Sequence, residues 1–199
     1  MTVRVIDISC PGCGSAVDTG QKTCKYCKSP IVISTFNSVY DMPMPMVSKY
    51  AAAYRQALSD SPDDRLLNNS VAMCYLKLKV YDKAIVSFEK AIEDNFDNSE
   101  TFFYAAICLL QGRKAYSMPR NIIAKIEEYI NAALMIEPRG IYYYFLAYIK
   151  YDYFERKFFN TTPTYQAALQ MAHDSGIAPS HTDIEQLYGV LGVSRPETL

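Results

Sequence analysis

The feature that most constrains this chain is a group of four cysteines near its start. Cys10 and Cys13 form one Cys-x-x-Cys pair, and Cys24 and Cys27 form a second pair after a ten-residue spacer. Each pair forms a tight turn that directs two thiolates toward one point, so a doubled pair supplies the four sulfur ligands of a tetrahedral zinc site. Such a site has no open position for a catalytic water. The pattern therefore predicts a structural Zn²⁺.

Two other interpretations of these cysteines are a disulfide framework and a redox site. A disulfide framework needs an oxidising compartment, for which the sequence carries no signal, and a redox site needs only one Cys-x-x-Cys pair within a βαβ pattern. The doubled pair favours zinc over both. The remaining cysteines, Cys74 and Cys108, lie in apolar helical patterns and are predicted to be small buried hydrophobic residues.

The segment around the cysteines resembles the short bacterial zinc-ribbon family. Its Cys-Pro-x-Cys-Gly knuckle is matched from Cys10 to Gly14, whereas Lys28 stands after the second knuckle where the family usually has glycine. Short β-prone runs at 3–8 and 31–33 fit a small ribbon on either side of the metal. The resemblance implies a zinc ribbon over residues 1–37.

Zinc ribbons often bind nucleic acid, which gives an alternative function. Residues 1–37 carry Arg4, Lys22, Lys25 and Lys28 against two aspartates, and four thiolates with one Zn²⁺ bring the loaded module close to neutral. The whole chain has a formal charge of -1. Because a nucleic-acid footprint normally needs a dense basic patch, this charge pattern disfavours nucleic acid as the partner of the ribbon.

Helical periodicity with a fixed repeat length begins after a proline-rich hinge. Pro43 and Pro45 lie in a predicted linker over 38–47, since proline neither propagates a helix nor donates to a sheet ladder. Beyond it, Pro62 and Phe96 end equivalent segments 34 residues apart. A fixed period of this length is typical of helical repeat proteins.

The repeat resembles the tetratricopeptide (TPR) family, most closely in its middle copy. There Ala84, Phe88 and Ala91 follow the A-x3-F-x2-A spacing, and Phe96 replaces the proline that ends the motif. The resemblance covers about residues 48–150. It implies paired helices that approach closely at the small residues.

The predicted fold is therefore mainly α, a helical TPR-like solenoid with a small N-terminal β zinc ribbon. The predicted domains are the ribbon at 1–37, the Met/Pro linker at 38–47, and a TPR-like domain at 48–199 that includes C-terminal capping helices. A loop over 112–119 is expected to separate two helices of this domain.

The TPR resemblance also implies a groove lined by the first helix of each repeat. The groove positions hold aromatic and apolar residues and are predicted to bind a protein or peptide partner, since tyrosine offers a large contact area with a polar tip. The alternative is that the C-terminal helices or the ribbon fill the groove, so that these residues form core. The predicted partner-binding residues are Phe103, Tyr104, Ile107, Tyr143 and Tyr144.

Catalysis finds no support in the sequence. The chain has only two histidines, His173 and His181, and neither accompanies a nucleophile in a recognisable motif. No apolar stretch approaches the length of a membrane span, so a cytoplasmic location is expected. The predicted function is a non-catalytic adaptor that binds a protein partner, and the alternative is a nucleic-acid-associated regulator acting through the zinc ribbon.

Overall fold

The computed structural model describes residues 5–93 and 96–199. The chain divides into two compact units with the boundary after Asp94, inside the segment predicted as one repeat domain. Each unit has its own buried apolar core. The four-cysteine segment belongs to the same unit as the first helices.

The first unit begins with a two-stranded antiparallel ribbon. Strands β1 (Asp7–Ser9) and β2 (Ala16–Asp18) pair with Ile8 opposite Val17. The predicted run 31–33 is not a strand: the Ile31 N–H bonds to the Lys22 carbonyl, whereas the Ile31 carbonyl and the main chain of Ile33 bond to side chains of the helices. Of the predicted run 3–8, residues 3 and 4 lie outside the described part of the chain.

The helices of the first unit start earlier than the sequence predicted. Helix α2 begins inside the predicted linker 38–47, because Pro43 precedes it and Pro45 lies in its first turn. A proline there removes no intrahelical hydrogen bond, since the first N–H groups have no partner within the helix. Helix α2 packs on α3, and α3 pairs with α4 as the middle repeat. The helices are α1 (Asn37–Tyr40), α2 (Met44–Asp60), α3 (Arg65–Lys77) and α4 (Tyr81–Ile92).

The second unit contains two further helical pairs and a final helix. Helix α5 packs on α6, α7 packs on α8, and α9 contacts both α5 and α7. The predicted loop at 112–119 is confirmed, since it contains only one 3-10 turn. The helices are α5 (Ser99–Leu109), α6 (Arg120–Ile136), α7 (Gly140–Ile149), α8 (Tyr165–Asp174) and α9 (His181–Leu191).

An irregular segment follows α7. The chain widens into a π-type turn over Lys150–Phe154, tightens into a 3-10 turn over Glu155–Lys157, and then reverses at Phe158, which has a left-handed backbone. Farther on, Ser180 and Asp183 form a reciprocal capping box that starts α9, which satisfies two N–H groups of its first turn.

The predicted fold class is confirmed: the chain is mainly α, with TPR-like helical pairs and a small N-terminal β ribbon. In the middle repeat, Ala84 and Ala91 are buried on α4 as the motif requires. Among the described residues, no helix combines the length and the apolar character that crossing a membrane requires.

Candidate metal centre and predicted partner surface

The four predicted ligands come together in the first unit. The sulfur atoms of Cys10, Cys13, Cys24 and Cys27 all lie within 4.8 Å of one another. Cys10 Sγ is 3.6 Å from Cys27 Sγ, and Cys13 Sγ is 3.8 Å from Cys24 Sγ. Sulfurs placed about 2.3 Å from a central Zn²⁺ at tetrahedral angles are about 3.8 Å apart. The cluster therefore has the donor set and the dimensions of a closed tetrahedral metal site.

The backbone around the cluster requires glycine at one position and a left-handed conformation at another. A Cβ on Gly12 would lie 2.6 Å from Ser29 Oγ and 3.1 Å from Cys27 Sγ, so only glycine allows the two knuckles to approach this closely. Lys28 adopts φ 62°, the left-handed conformation that glycine adopts without steric cost. The departure of Lys28 from the zinc-ribbon pattern thus leaves the turn and the ligand set intact.

Neighbouring groups move the thiol pKa values in opposite directions. Burial raises the pKa of the Cys10 thiol to about 11. A hydrogen bond with the Ser15 hydroxyl, 3.4 Å away, is the main cause that lowers the pKa of Cys24 to about 6. The Ser29 hydroxyl lowers the pKa of Cys27 in the same way. Two of the four sulfurs are therefore held toward the thiolate form, which is the form that binds metal.

The ribbon is fastened to the helices by buried hydrogen bonds. The hydroxyl of Tyr54 donates to the carbonyl of Ile31 at 2.9 Å, and the Ile33 N–H donates to Ser70 Oγ at 2.9 Å. Closer to the metal centre, Lys49 Nζ donates to the carbonyl of Gly12 in the first knuckle. The second knuckle leads directly into the segment that these helices hold, so the metal centre and the first helices share one core.

The predicted groove residues lie mostly in the core of the second unit. Phe103, Tyr104, Ile107 and Tyr144 are each buried to at least nine tenths, whereas Tyr143 is only half-buried. Four of the five are therefore not an open surface in this conformation, and their role in binding a partner remains a prediction. The alternative that these aromatics form core describes them correctly.

The chain itself covers these residues. Tyr188 of α9 packs edge-on against Tyr144, with ring centroids 6.4 Å apart, and against Tyr148 at 5.7 Å. The hydroxyl of Tyr144 donates to the carbonyl of Leu199 at 3.1 Å. Phe103 stacks on Tyr142 at 4.6 Å. Helix α9 and the residues after it thus occupy the place predicted for a partner.

The equivalent positions of the middle repeat are filled by the ribbon. Asn69 and Ser70 on α3 are buried, and both bond to the main chain of Ile33. Met73 is fully buried beside them. The sequence could not identify the segment that covers these residues, because that segment is more than 30 positions away.

The other chemically active residues do not assemble into a site. Both histidines are exposed, and each lies next to a carboxylate of its own helix. Cys74 and Cys108 are fully buried as predicted, and burial raises the pKa of the Cys74 thiol to about 12. Buried thiols with a raised pKa are poor nucleophiles.

No protein-family model matches the chain, and no curated protein sequence matches it. Among solved structures, the chain is similar to one titled MamA MSR-1 C2, at 16% sequence identity and a TM-score of 0.47. That similarity covers 77% of this chain and 83% of the other.

Proposed function

We propose that this chain is a non-catalytic scaffold that binds a protein partner and whose ribbon is held by a structural zinc ion. The observation that carries the metal assignment is the set of four cysteine sulfurs within 4.8 Å of one another. Four thiolates at this separation favour Zn²⁺ over the oxygen-binding ions Mg²⁺ and Ca²⁺. With all four positions taken by protein, the metal serves the fold and not a reaction.

Cys10, Cys13, Cys24 and Cys27 would hold the ion, which links the two knuckles to each other. The ribbon has only two three-residue strands, too few to be stable alone in water. Zinc binding would supply the free energy that keeps the second knuckle and the segment around Ile31 in place. The metal thereby supports the helices that this segment covers.

The proposal of a protein partner is supported by the succession of TPR-like helical pairs, an architecture whose repeated faces serve as binding surfaces. Of the predicted contact residues, the half-buried Tyr143 is the one available without movement of α9. The other four would become available only when α9 leaves α5 and α7. A cytoplasmic location remains a prediction.

Metal analysis and affinity capture test this function together. Purified protein should contain one Zn²⁺ per chain, and a Cys13→Ser/Cys27→Ser variant should contain none. A protein captured by the intact chain should bind again when both are purified, and it should bind more weakly to the zinc-free variant. Full zinc in the double variant would contradict the metal assignment, and failure of every captured protein to bind in purified form would contradict the scaffold.

The alternative, a nucleic-acid partner for the ribbon, is favoured by one observation. Lys22, Lys25 and Lys28 are all exposed around the second knuckle, and Lys25 Nζ lies 5.0 Å from the ring centre of the exposed Tyr26. A Lys22→Gln/Lys25→Gln variant separates this function from protein binding, because it removes two charges without touching a metal ligand.

A further inference from the structure

One surface of the second unit combines exposed aromatic rings with basic side chains. It is formed by Tyr116, between α5 and α6, and by Arg156, Lys157, Phe158 and Phe159, which follow α7. The exposed fractions are 44% for Tyr116, 95% for Phe158 and 51% for Phe159. We call these five residues the aromatic-basic surface. The chain exposes none of its groove residues to this extent.

The rings and cations of this surface alternate at short distances. The guanidinium carbon of Arg156 lies 4.6 Å from the ring centre of Tyr116, and Lys157 Nζ lies 4.9 Å from the same ring. Lys157 Nζ is also 3.9 Å from the ring centre of Tyr153, which contacts Phe159 at 6.1 Å. The exposed ring of Tyr116 is therefore next to two positive charges, and Lys157 also reaches the buried Tyr153, whose ring contacts that of Phe159.

A buried carboxylate fixes the two segments to each other. Asp152, which is 2% exposed, accepts a 2.8 Å hydrogen bond from the main-chain N–H of Tyr116 and pairs with Arg156. This connects the loop before α6 to the π-type turn after α7. The aromatic-basic surface is thus held in one arrangement by the fold.

Phe158 is an exposed aromatic residue at a helix end, where glycine or asparagine is usual. Its backbone is left-handed, with φ 57°, and the turn is held by a 2.9 Å hydrogen bond from the Phe159 N–H to the Phe154 carbonyl. The turn leaves the ring of Phe158 almost wholly exposed, so its face is open to a ligand.

The charge of the region differs from that of the whole protein. Segments 111–120 and 150–160 contain six Lys or Arg residues and two acidic residues, whereas the whole chain has a net charge of -1. Asp152 is paired with Arg156, and Glu127 of α6, outside these segments, pairs with Lys150 and Arg120, so the basic excess remains. Lys114 and Arg120 are exposed, and Lys157 is half-buried. The local field therefore favours an anionic partner.

We propose that the aromatic-basic surface binds a single-stranded nucleic acid, with bases stacked on Phe158 and Phe159 and phosphates next to the basic residues. Cations beside exposed rings match the phosphates and unpaired base faces of a single strand. A surface that inserts into a membrane has its apolar residues separated from its cations, which is not the arrangement around Tyr116. This site lies in the second unit and is independent of the zinc ribbon.

Fluorescence anisotropy with a labelled oligo-dT strand of about 20 nucleotides tests the proposal. The intact protein should bind the strand, and annealing it to oligo-dA should weaken binding because the base faces are then covered. Phe158→Asn should raise Kd about tenfold while leaving the melting temperature unchanged or higher, because stacking on a ring is lost and asparagine tolerates the left-handed backbone. Phe158→Asn/Phe159→Ser should raise it further.

The charges are tested through the salt dependence of binding. A Lys114→Gln/Lys157→Gln variant should lower the slope of log Kd against log salt by about 1.4, the value for two lost phosphate contacts to a single strand. The matched controls are Lys22→Gln/Lys25→Gln in the ribbon, which removes the same charge, and Met135→Ser, which removes a similarly exposed apolar side chain. Both controls should bind oligo-dT as the intact protein does.

Three results would overturn the proposal. The first is a lack of oligo-dT binding by the intact protein. The second is unchanged binding by Phe158→Asn and Lys114→Gln/Lys157→Gln together with loss in the ribbon variant, which would assign nucleic acid to the ribbon. The third is that vesicles of phosphatidylcholine with about one third phosphatidylglycerol bind the protein in a Phe158-dependent way while oligo-dT does not.

Discussion

The hydroxyl group of Tyr54, on α2, donates a 2.9 Å hydrogen bond to the main-chain carbonyl of Ile31, which follows the second cysteine knuckle. Both residues are fully buried. The segment that leaves the metal centre is therefore part of the helical core, and the ribbon is more than an appendage on a linker. The stability of the first helices should depend on the ribbon, and the stability of the ribbon on the helices.

Tyr54→Phe tests this connection with a minimal change of shape. The variant leaves the Ile31 carbonyl buried without its donor, so the free energy of unfolding of the first unit should fall by about 1 to 2 kcal/mol. Urea unfolding followed by circular dichroism measures the change. Tyr26→Phe, at an exposed tyrosine of the second knuckle, is the control and should leave stability within about 0.5 kcal/mol of the intact protein.

Removal of zinc should unfold the ribbon and also loosen α2 and α3. The reason is that Ile31 and Ile33, which bond to Tyr54, Asn69 and Ser70, would no longer be held by the second knuckle. If the ribbon at 1–37 and the helical repeats were separate domains, as the sequence predicts, only the ribbon would unfold. Hydrogen exchange of the chelator-treated protein should show faster exchange in α2 and α3 and unchanged exchange in α5 and α6.

The Cys13→Ser/Cys27→Ser variant should reproduce this exchange pattern without chelator. If its α2 and α3 remained as protected as in the zinc-loaded protein, the ribbon would be a separate folding unit as the sequence suggested. Reconstitution of the intact protein with Zn²⁺ after chelation should restore protection in both helices, since binding and folding of such sites are linked.

The four-cysteine cluster was predictable because its determinants are local. Four cysteines at two fixed spacings and glycine at position 12 specify the turns and the donor set without reference to the rest of the fold. The helical pairs were predictable for a similar reason, since Ala84 and Ala91 recur at helical spacing. The start of α2 was not, because Pro43 and Pro45 interrupt a helix in most positions but are accepted at its first turn.

The burial of the predicted groove could not be read from the same patterns. An aromatic stripe such as Phe103 and Tyr104 has one sequence signature whether a partner or the chain itself covers it, and only the position of α9 decides between them. Salt bridges between residues that are far apart in the sequence cannot be predicted from these patterns either. Glu127 on α6, for example, pairs with the buried Lys150, 23 positions further along the chain.

Tyr144 and Tyr143 are neighbours in the sequence, but Tyr144 belongs to the core and Tyr143 is only half-buried. Tyr144 is 4% exposed and bonds to the Leu199 carbonyl, so Tyr144→Ala should lower the free energy of unfolding by about 3 to 5 kcal/mol through the cavity it leaves. Tyr143→Ala should cost less than about 1 kcal/mol. Equal melting temperatures for the two variants would mean that α9 does not cover α7 in solution.

Ala84→Leu tests the close approach of the helices in the middle repeat. Ala84 is fully buried on α4, where α4 packs on α3, so three further carbon atoms should destabilise the first unit by about 1 to 3 kcal/mol through overpacking. Val86→Leu, two residues along the same helix at a 55% exposed position, is the control and should have little effect. Thermal melting measures both variants. A lower melting temperature for Ala84→Leu than for Val86→Leu is expected only if α4 packs on α3 through Ala84.

Glu137 gives the second unit a pH-dependent contribution to stability. Its carboxylate pairs with Arg139 Nε at 2.8 Å and accepts a 3.0 Å hydrogen bond from Ser99 Oγ. The Arg139 hydrogen bond is the largest cause that lowers the pKa of Glu137 below its ordinary value of 4.5. Because the folded pKa lies below the unfolded one, this stabilisation is present above pH 4.5 and is lost as pH falls through the folded pKa.

Glu137→Gln should therefore lower the free energy of unfolding at neutral pH and lower it by less at about pH 3.5, because the stabilisation declines once the pH is below the unfolded pKa. Urea unfolding of the variant and the intact protein at both pH values measures this change in the free energy of unfolding. Glu128→Gln, at an exposed carboxylate on α6, is the control and should show a smaller difference between the two pH values. An effect of Glu137→Gln that stayed constant from neutral pH to pH 3.5 would mean that Arg139 does not stabilise the charged form of Glu137.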